Sequence, residues 1–262
     1  MISVIMGVYN PRNWEIFNLS IQSILNQTYQ DFEIIICDDG SDAKTQEMLG
    51  NISSLDSRIL VIHNESNCGL AYSLNKCLKI ANGEYIARMD DDDISYCKRF
   101  ELETDFLNSH LDIAWVGCNA ELIDGVGKVW GRRILEEYPT KESLLFNTPF
   151  MHPTVMIRRD VLCKAGGYRV ARSTRRAEDY DLWLRLYAMG YKGANLQEIL
   201  FQYREDDVAY KKRKYRYRID EAIVRYRGFS SLNLFPKAWI YVVKPLIVGL
   251  IPMPILKKIK EN

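Results

Sequence analysis

Four consecutive aspartates at 90–93 follow a short apolar segment that begins at Tyr85. Aspartate is depleted in β-strands, and four adjacent like charges repel one another. A bound divalent cation would take up this charge, because Mg²⁺ and Mn²⁺ prefer carboxylate oxygens. The alternative is a solvated loop or a helix N-terminus, where aspartate caps amides and interacts favourably with the helix dipole. This segment alone leaves both interpretations open.

Alternating strand and helix patterns surround the acidic run. Short apolar runs, several of them rich in β-branched residues, predict buried strands at 2–8, 32–37, 59–63 and 85–89. Apolar residues at helical spacing predict helices at 14–27 and 70–81. The short segment 44–51, between the second and third strands, is predicted to be a helix as well. This β-α-β-α-β-α-β order predicts an α/β fold with a doubly wound, mostly parallel sheet and helices on both faces.

The predicted sheet brings polar residues to one edge. Tyr9 follows the first strand, Asp39 lies just after the second, and the run at 90–93 follows the fourth. Ligands of doubly wound sheets bind beyond the carboxyl ends of the strands. We therefore expect these three positions to line one site.

The second half of the chain is expected to complete the first rather than form an independent unit. Its patterns predict a strand at 113–117, a hairpin within 121–130 and a strand at 153–157 that follows His152. A strong amphipathic helix opens with Glu178 and Asp179.

The C-terminal part, from about residue 207, differs in composition. Six basic residues and no acidic residue lie between 211 and 218, and an apolar segment with Trp and Tyr spans 239–254. Pro and Lys interrupt this segment, so it suits a membrane surface better than a transmembrane helix. The alternative is a C-terminal helix packed on the core. Further lysines follow the segment, at Lys257, Lys258 and Lys260.

Composition narrows the class of protein. The chain has 262 residues with a formal net charge of +1, so no overall field indicates binding to nucleic acid. Its six cysteines include no Cys-x-x-Cys pair, which favours reduced thiols in a cytosolic protein over a zinc site. The first residues form a strand pattern and no secretion signal, so we expect a cytoplasmic protein.

Four segments in this order resemble family-2 inverting glycosyltransferases of the GT-A fold. They are residues 2–10, 23–29, 34–41 and 83–93, and Glu178, Asp179 and Trp183 follow them downstream. Each motif alone is weak, but the ordered set is specific. The resemblance covers roughly residues 1–205. Within the family, the chain resembles bacterial enzymes that build O-antigen or capsular polysaccharide.

The resemblance implies a nucleotide-sugar donor, usually a UDP-sugar. Asp39 occupies the position that holds the uridine, and Tyr9 and Glu178 are expected to line the substrate site. The usual Asp-x-Asp motif maps onto Asp90, which would contact the ribose and the metal, and Asp92, which would bind Mn²⁺ or Mg²⁺. Because the run contains four aspartates, Asp91 and Asp93 remain alternatives in this register.

Sugar transfer explains these residue types. Departure of a nucleoside diphosphate builds negative charge, which a divalent cation stabilises as a Lewis acid. The acceptor hydroxyl must lose a proton, and the resemblance assigns this general-base role to Asp179. Direct displacement inverts the anomeric centre and requires no second, nucleophilic carboxylate. The alternative for Asp179 is a charge that merely stabilises a helix N-terminus.

Two further positions follow from the resemblance less directly. His152 precedes a proline where the family often has His-Pro, so it would contact donor phosphate or acceptor, or else form a hydrogen bond within the fold. The family often carries Tyr-Arg-x-His near the end of this region, but here Asp206 occupies the histidine position. Arg204 or the basic run 211–218 would then face the diphosphate, unless that run is only a solvated helix face.

The resemblance implies a catalytic domain at 1–206 and a basic and apolar extension at 207–262. The expected acceptor is a polyprenyl-diphosphate-linked saccharide, which would place the enzyme on the inner face of the cell membrane. A nucleotidyltransferase and a non-enzymatic membrane scaffold are the alternatives. A nucleotidyltransferase should show a Gly-rich basic loop after the first strand, and a dinucleotide-binding oxidoreductase should show Gly-x-Gly-x-x-Gly there. The segment that starts at Gly7 has neither feature.

Overall fold

The computed structural model describes residues 1–205 and 215–250. Within these residues the strands are β1 (Ile2–Val8), β2 (Phe32–Asp38), β3 (Ile59–His63), β4 (Tyr85–Arg88), β5 (Ile94–Ser95), β6 (Ile113–Ile123), β7 (Val129–Arg133), β8 (Met156–Arg158) and β9 (Lys192–Arg204). The α-helices are α1 (Trp14–Leu25), α2 (Ala43–Ser53), α3 (Leu70–Ile80), α4 (Arg99–Ser109), α5 (Arg159–Lys164), α6 (Glu178–Ala188), α7 (Arg216–Ser231) and α8 (Trp239–Leu250). Short 3₁₀ helices span Ser143–Leu145, His152–Thr154 and Arg172–Thr174.

The first four strands and first three helices end within two residues of the predicted bounds. Local capping explains why the helices begin where they do. The Asn13 side chain accepts a 2.8 Å hydrogen bond from the amide of Glu15 at the start of α1. Asp42 does the same for Thr45 at the start of α2, also at 2.8 Å. These bonds satisfy amides that the helix itself leaves without partners.

The sheet is mixed. Its strand order is β3-β2-β1-β4-β8-β6-β9-β5, and β7 pairs with β6. The pairs β1–β2, β1–β4, β2–β3 and β6–β9 are parallel, whereas β4–β8, β6–β8, β6–β7 and β5–β9 are antiparallel. The prediction of a mostly parallel sheet is therefore confirmed for the first four strands, whereas the second half combines the parallel β6–β9 pair with antiparallel pairs. A three-residue strand such as β8 carries no readable period, so its direction could not be predicted.

The strand predicted at 153–157 is shorter than expected. A 3₁₀ turn spans His152–Thr154, and β8 starts only at Met156. Pro153 has no amide hydrogen to donate to a neighbouring strand, which favours the turn. The hairpin predicted within 121–130 is confirmed by the antiparallel pairing of β6 and β7.

The first strands are buried on both faces, as parallel strands under two helical layers must be. Ile5 and Ile35 pack on one face against Leu74 of α3. Val4 and Ile34 pack on the other face, in the cluster that contains α1. Alternate residues thus contribute to two apolar cores, which fixes the register of the strands and the direction of the side chains at their ends.

The C-terminal helices share the first of these cores. Helix α7 packs on α6 and α8 packs on α7. Phe229, Ala238 and Val242 are buried in the same apolar cluster as Trp183 of α6. The inner face of α7 and α8 is therefore packed on the core, as the alternative interpretation of this segment predicted. No helix within 1–205 and 215–250 has the length and apolar character needed to cross a membrane.

Parts of the predicted extension lie outside the described residues. These are Asp206, positions 211–214 of the basic run, positions 251–254 of the apolar segment, and Lys257, Lys258 and Lys260.

Candidate active site

The ends of three strands bring the predicted polar residues to one edge of the sheet. Strand β1 lies between β2 and β4, with Val8 opposite Asp38 and Ile5 opposite Arg88. The loop containing Asp39 and the acidic run at 90–93 therefore leave the sheet on either side of the β1 end. Asp179, at the N-terminus of α6, is near enough to the acidic run for the charge of Asp90 to raise its pKa.

Asp39 is buried and accepts four hydrogen bonds. Oδ1 accepts from Asn64 Nδ2 at 2.8 Å, the Cys68 amide at 2.9 Å and Ser73 Oγ at 3.0 Å. Oδ2 accepts from the Gly69 amide at 2.8 Å. The carboxylate thus fixes the turn that leads into α3, and its remaining acceptor capacity lies on Oδ2. Its predicted contact with uridine stays a prediction.

The neighbouring loop is held by a second buried carboxylate. Asp38 Oδ1 accepts from the Ser41 amide at 3.0 Å, and Oδ2 lies 3.0 Å from His63 Nδ1. The Asn10 amide donates to Ser41 Oγ at 3.0 Å, which joins this loop to the end of β1. Tyr9, the residue before Asn10, is 52% exposed. About half of Tyr9 is therefore open to solvent, and its contact with substrate stays a prediction.

The main chain of the acidic run is held from three directions. Ser20 Oγ on α1 donates to the carbonyl of Asp90 at 2.9 Å, and Arg204 Nε donates to that of Asp92 at 2.8 Å. Arg99 Nη2 donates to the carbonyl of Arg88 at 3.1 Å. The bonds from Ser20 and Arg204 come from positions 70 and 112 residues away in sequence, so distant segments hold the main chain of the run.

Arg204 was predicted to face the diphosphate. Its guanidinium instead donates to two main-chain carbonyls, those of Asp92 and, at 2.6 Å, Asp124. Its own amide donates to Asp93 Oδ1 at 2.7 Å. The structure therefore shows Arg204 supporting the acidic run and the β6–β7 turn. Direct contact with substrate stays a prediction.

The four aspartates differ in exposure. Asp93 is 1% exposed and points into the fold, whereas Asp92 is exposed and Asp90 and Asp91 are half-buried. This geometry favours Asp90 and Asp92 over Asp93 among the carboxylates available to a ligand. Asp90 and Asp91 are both half-buried, so exposure does not choose between them, and the register predicted from the Asp-x-Asp motif stays a prediction.

Two carboxyl groups of the acidic run have raised pKa values. Burial, with the charges of Asp92 and Asp90, raises the pKa of Asp91 to about 7. Burial, with the same two charges, raises the pKa of Asp93 well above its usual range. A bound cation would relieve this repulsion.

The donor set fits a divalent cation whose remaining ligands come from a substrate. Among residues 1–205 and 215–250 no three His, Cys, Asp or Glu side chains converge as a complete metal site. Mg²⁺ is commonly held by only one or two carboxylates together with phosphate oxygens and water. Asp90 and Asp92 would provide that number of hard oxygen ligands, and their role as metal ligands stays a prediction.

Arg88, the last residue of β4, was not among the predicted site residues. Its Nη2 lies 2.5 Å from Asp90 Oδ1, and the side chain is 3% exposed. Nε and Nη1 are buried with no hydrogen-bond partner in the described part of the chain. Leaving such a donor unpaired costs about 1–3 kcal/mol. The available signal was an arginine in an otherwise apolar strand, two residues before the acidic run.

Glu178 and Asp179 form the first turn of α6 and are half-buried. Burial raises the pKa of Asp179, the charge of Asp90 adds to this effect, and Arg88 and main-chain amides oppose it. Burial and the charge of Asp179 raise the pKa of Glu178 to about 7. A carboxylate with a raised pKa is a stronger base than a solvated one, which suits it to accept a proton.

His152 is buried and forms a hydrogen bond within the fold. Its Nε2 lies 2.8 Å from the hydroxyl of Tyr168, and the two rings pack edge to face. Burial, and then the charge of Arg88, lowers the pKa of His152 well below its usual value. The imidazole is therefore neutral at pH 7. A contact with substrate stays a prediction.

The model of glycosyl transferase family 2 matches residues 3–166. The chain is 42% identical over 258 residues to the putative glycosyltransferase EpsE of Bacillus subtilis (strain 168), which covers 98% of this chain and 92% of the relative. It is 36% identical over 212 residues to the O-antigen biosynthesis glycosyltransferase WbnJ of Escherichia coli, covering 78% and 79%. The chain belongs to glycosyltransferase family 2, and its relatives include enzymes of cell-surface polysaccharide synthesis.

A more distant relative is named for its substrates. The UDP-Gal:alpha-D-GlcNAc-diphosphoundecaprenol beta-1,3-galactosyltransferase of Escherichia coli is 28% identical over 263 residues, covering 95% of this chain and 91% of the relative.

Solved structures show the same fold. S. aureus TarS 1–349 in complex with UDP-GlcNAc superposes with a TM-score of 0.69 at 16% identity, covering 95% of this chain and 81% of that chain. The mannosyltransferase PcManGT from Pyrobaculum calidifontis, in complex with GDP-Man and Mn²⁺, superposes with a TM-score of 0.62 at 17% identity, covering 95% and 68%. The predicted GT-A-like architecture is thereby confirmed.

Proposed function

We propose that this glycosyltransferase moves a sugar from a UDP-sugar to a hydroxyl of a polyprenyl-diphosphate-linked saccharide, with inversion, during polysaccharide synthesis. One observation carries the proposal. Asp90, two residues after β4, and Asp179, at the start of α6, are near enough for the charge of Asp90 to raise the pKa of Asp179. The carboxylate proposed to bind the sugar donor would thus lie near the candidate base, as a direct displacement requires.

On the donor side, Asp90 and Asp92 would hold Mn²⁺ or Mg²⁺. The cation, when bound, supplies positive charge for the diphosphate as it leaves. The hydrogen bonds from Ser20 to the Asp90 carbonyl and from Arg204 to the Asp92 carbonyl hold the main chain that carries both carboxylates. The neighbouring structure with Mn²⁺ and a nucleotide sugar supports this assignment by analogy of fold.

The nucleoside is expected near the ends of β1 and β2. Oδ2 of Asp39 retains acceptor capacity for a uracil N–H, and the exposed ring of Tyr9 offers a flat surface beside it. The choice of UDP rests on this donor–acceptor match and on the TarS complex with UDP-GlcNAc.

On the acceptor side, Asp179 would take the proton from the attacking hydroxyl. Its raised pKa makes the carboxylate a stronger base than a solvated aspartate. Glu178 lies beside it and would contact the acceptor or the donor sugar. The attack comes from the face opposite the leaving diphosphate, so one base is sufficient.

The outer face of α8 would hold the enzyme at a membrane, where a lipid-linked acceptor resides. Ile240 is 69% exposed and Leu250 is 73% exposed, and Trp239 and Ile247 lie on the same exposed side. Apolar side chains with nearby basic residues bind to anionic lipid surfaces. The proposed location is therefore the cytoplasmic face of the cell membrane.

A screen of UDP-, GDP- and dTDP-sugars with a lipid-linked saccharide acceptor tests the proposal. We expect release of UDP that requires Mn²⁺ or Mg²⁺ and stops in EDTA. Asp92→Asn should lower the rate on the order of 100-fold or more, because it removes a charged ligand of the cation that would stabilise the leaving diphosphate. Asp112→Asn, at an exposed position before β6, is the matched control and should keep full activity.

The reaction products distinguish the proposed glycosyltransferase from a nucleotidyltransferase and from a non-enzymatic scaffold. Release of pyrophosphate from a nucleoside triphosphate would indicate a nucleotidyltransferase. No turnover with any donor would favour a scaffold. Full activity in EDTA, or in the Asp92→Asn variant, would overturn the metal assignment.

A further inference from the structure

A loop rich in arginine leads into the helix that carries the proposed base. Residues 168–177 contain four arginines and no acidic residue, and they are followed directly by α6, which carries Asp179 in its first turn. All four arginines are exposed; they are Arg169, Arg172, Arg175 and Arg176. Like charges at neighbouring positions repel one another, so an anion bound beside them would stabilise this loop.

Helix α7 brings further arginines against this loop. The 3₁₀ helix of the loop packs on α7, and Arg227 Nη1 donates to Ser173 Oγ at 3.4 Å. The ring centroid of Tyr217 lies 5.7 Å from the guanidinium carbon of Arg176 and 4.9 Å from that of Arg216. Arg216 Nη2 also donates to the Tyr217 hydroxyl at 3.0 Å. Two guanidinium groups from separate segments, the arginine pair Arg176 and Arg216, thus meet at one ring.

The arginine pair forms no ion pair with a carboxylate in the part of the chain that the structure describes. Neighbouring arginines do have such partners: Arg169 pairs with Asp181 at 3.1 Å, and Arg225 pairs with Glu221 at 3.0 Å. The planar fork of an arginine matches two oxygens of a phosphate group, so two adjacent forks suit a ligand with more than one phosphate. The arginine pair is therefore available to such a ligand.

The main chain of Arg176 has a φ of +65°, in the left-handed region. Glycine adopts this conformation without steric cost, whereas a residue with a Cβ does not. The turn before α6 therefore gives no structural reason for an arginine at this position. Sparsely populated backbone conformations of this kind are concentrated at ligand sites, which supports a binding role for the side chain.

The arginine pair belongs to the side of the proposed site where the acceptor must bind. Arg176 comes shortly before Asp179, the proposed base, in the sequence. In an inverting displacement the acceptor hydroxyl attacks from the face opposite the leaving diphosphate. The donor diphosphate is assigned to the cation at Asp90 and Asp92, so a phosphate held near the base would belong to the acceptor.

Helix α7 also connects the arginine pair with the proposed membrane face. Helix α7 packs on α6 on one side and on α8 on the other. The rings of Tyr226 on α7 and Trp239 on α8 lie 5.8 Å apart. A continuous set of contacts thus leads from the helix of the base, past the arginine pair, to the helix proposed to touch the lipid.

We propose that the arginine pair binds the diphosphate of the lipid-linked acceptor, in a subsite separate from the donor site. Each guanidinium group would hold phosphate oxygens, while the Tyr217 ring positions both groups. The diphosphate joins the lipid to the saccharide, so its capture would direct the saccharide towards Asp179. The inference rests on the proposed function. It assigns Arg216, part of the basic run 211–218, to the acceptor diphosphate instead of the donor diphosphate.

The experiment uses the full-length chain and two soluble acceptors with the same saccharide. One acceptor carries the saccharide on a short alkyl diphosphate, and the other carries it on a neutral alkyl glycoside. The variants are Arg176→Asn, Arg216→Gln and their combination. Asparagine is chosen at position 176 because it tolerates the left-handed backbone.

The control variant combines Lys79→Ala with Arg159→Ala and removes the same number of charges. Both side chains are exposed. They lie at the opposite edge of the sheet, because Lys79 is in the last turn of α3 and Arg159 follows the residue that pairs with the first residue of β4. Melting temperatures show whether each variant is folded.

With the diphosphate acceptor, each single substitution should raise the acceptor KM about 10-fold and the combination about 100-fold, because charged hydrogen bonds to phosphate are lost. With the neutral acceptor, the acceptor KM should stay at the wild-type value. The donor KM and the Mn²⁺ requirement should be unchanged with both acceptors. The control variant should behave as the wild type throughout.

Three results would overturn the proposal. An equal rise in KM for both acceptors would show that the arginine pair does not recognise the diphosphate. A higher donor KM with either acceptor would assign the arginine pair to the donor diphosphate. Wild-type kinetics with both soluble acceptors, together with weaker binding to anionic liposomes, would assign it to phospholipid headgroups. If the combined variant does not fold, the single variants decide between these outcomes.

Binding of octyl diphosphate, which carries no saccharide, separates this inference from the proposed function. In calorimetric titrations without Mn²⁺, the combined variant should bind this probe about 100-fold more weakly than the wild type. That difference, in a wild-type protein that transfers no sugar to a lipid-linked acceptor, would overturn the proposed function alone. Equal binding by both proteins would overturn the inference even where sugar transfer is observed.

Discussion

The main-chain amide of Arg204 donates a 2.7 Å hydrogen bond to Oδ1 of Asp93. This bond ties the end of β9 to the last of the four aspartates, across 111 positions of sequence. The Arg204 side chain adds a bond to the carbonyl of Asp92 at 2.8 Å. The orientation of the proposed metal-binding carboxylates therefore depends on a strand from the opposite end of the domain.

Arg204→Gln should loosen the acidic run. We expect the Mn²⁺ concentration for half-maximal activity to rise about 10-fold. This is the smaller end of the loss in metal affinity that follows removal of a residue that orients a metal ligand. The measurement is UDP release against Mn²⁺ concentration at saturating donor. A higher KM for the donor with an unchanged Mn²⁺ requirement would instead support the direct contact with diphosphate that the sequence predicted.

Asp179→Asn should preserve donor binding and reduce turnover by roughly 100-fold to 10,000-fold, the usual share of general-base catalysis. Calorimetric titration with the donor and a single-turnover assay measure the two quantities separately. Loss of donor affinity with turnover preserved at saturation would place Asp179 in the donor site and assign the base elsewhere.

The pH profile gives a second test of Asp179. Burial raises its pKa above the ordinary aspartate range, and the base acts only when it is ionised. Activity should therefore fall as the pH decreases through this raised pKa. The fall should occur above the ordinary aspartate pKa of about 4. An acid limb at or below that range would contradict the role.

The outer face of α8 should bind anionic liposomes. Ile240→Glu and Ile247→Glu each place a charge on this face, and together they should weaken liposome partitioning about 10-fold or more. Wild-type binding should also weaken in high salt, because salt screens the basic residues. Co-sedimentation with vesicles measures both effects.

Leu111→Glu is the control for the liposome experiment, since Leu111 is 81% exposed at the α4–β6 junction. It should bind as the wild type does. Substitution is a better test than truncation near Ser230, which would also remove Ala238 and Val242 from the core. Unchanged partitioning in the double variant would place the membrane contact elsewhere.

Gly40 is predicted to be essential for the loop after β2. Its φ is +72°, and a Cβ there would lie 2.5 Å from the main-chain carbon of Ser66. Gly127 has a similar φ of +87° but open space around it. Gly127→Ala should cost about 1–2 kcal/mol in the free energy of unfolding through the left-handed backbone alone. Gly40→Ala should cost roughly 1–3 kcal/mol more through the close contact.

Chemical denaturation of the two glycine variants measures this difference. The circular dichroism spectrum of Gly127→Ala should match that of the wild type. Equal stability of the two variants would show that the Ser66 segment can move aside without cost.

The sequence alone determined the first four strands and the helices between them. Their apolar residues form runs or recur at regular spacing, so the local pattern is enough to identify each strand or helix, as at Ile34 and Ile36 of β2. Parallel strands joined by crossover helices must end at one edge, so the shared location of Tyr9, Asp39 and Asp90 followed from the order of elements. The family resemblance rested on the same segments.

Only the tertiary structure decided the second half of the sheet. Strand β8 is too short to carry a period, and in β9 the polar residues Asn195, Gln197 and Glu198 interrupt the apolar pattern, so no strand was predicted there. The direction and position of such strands depend on which neighbours pack beside them.

The tertiary structure also decided which polar groups reach the cavity. Sequence could not show that Arg88 and Asp93 are buried, that His152 bonds to Tyr168, or that Arg204 holds main-chain carbonyls. Burial and hydrogen-bond partners are set by segments distant in the chain, and the charge state of a carboxylate depends on those same neighbours. The residue types were thus readable in order along the chain, while their roles depended on what the fold places against each of them.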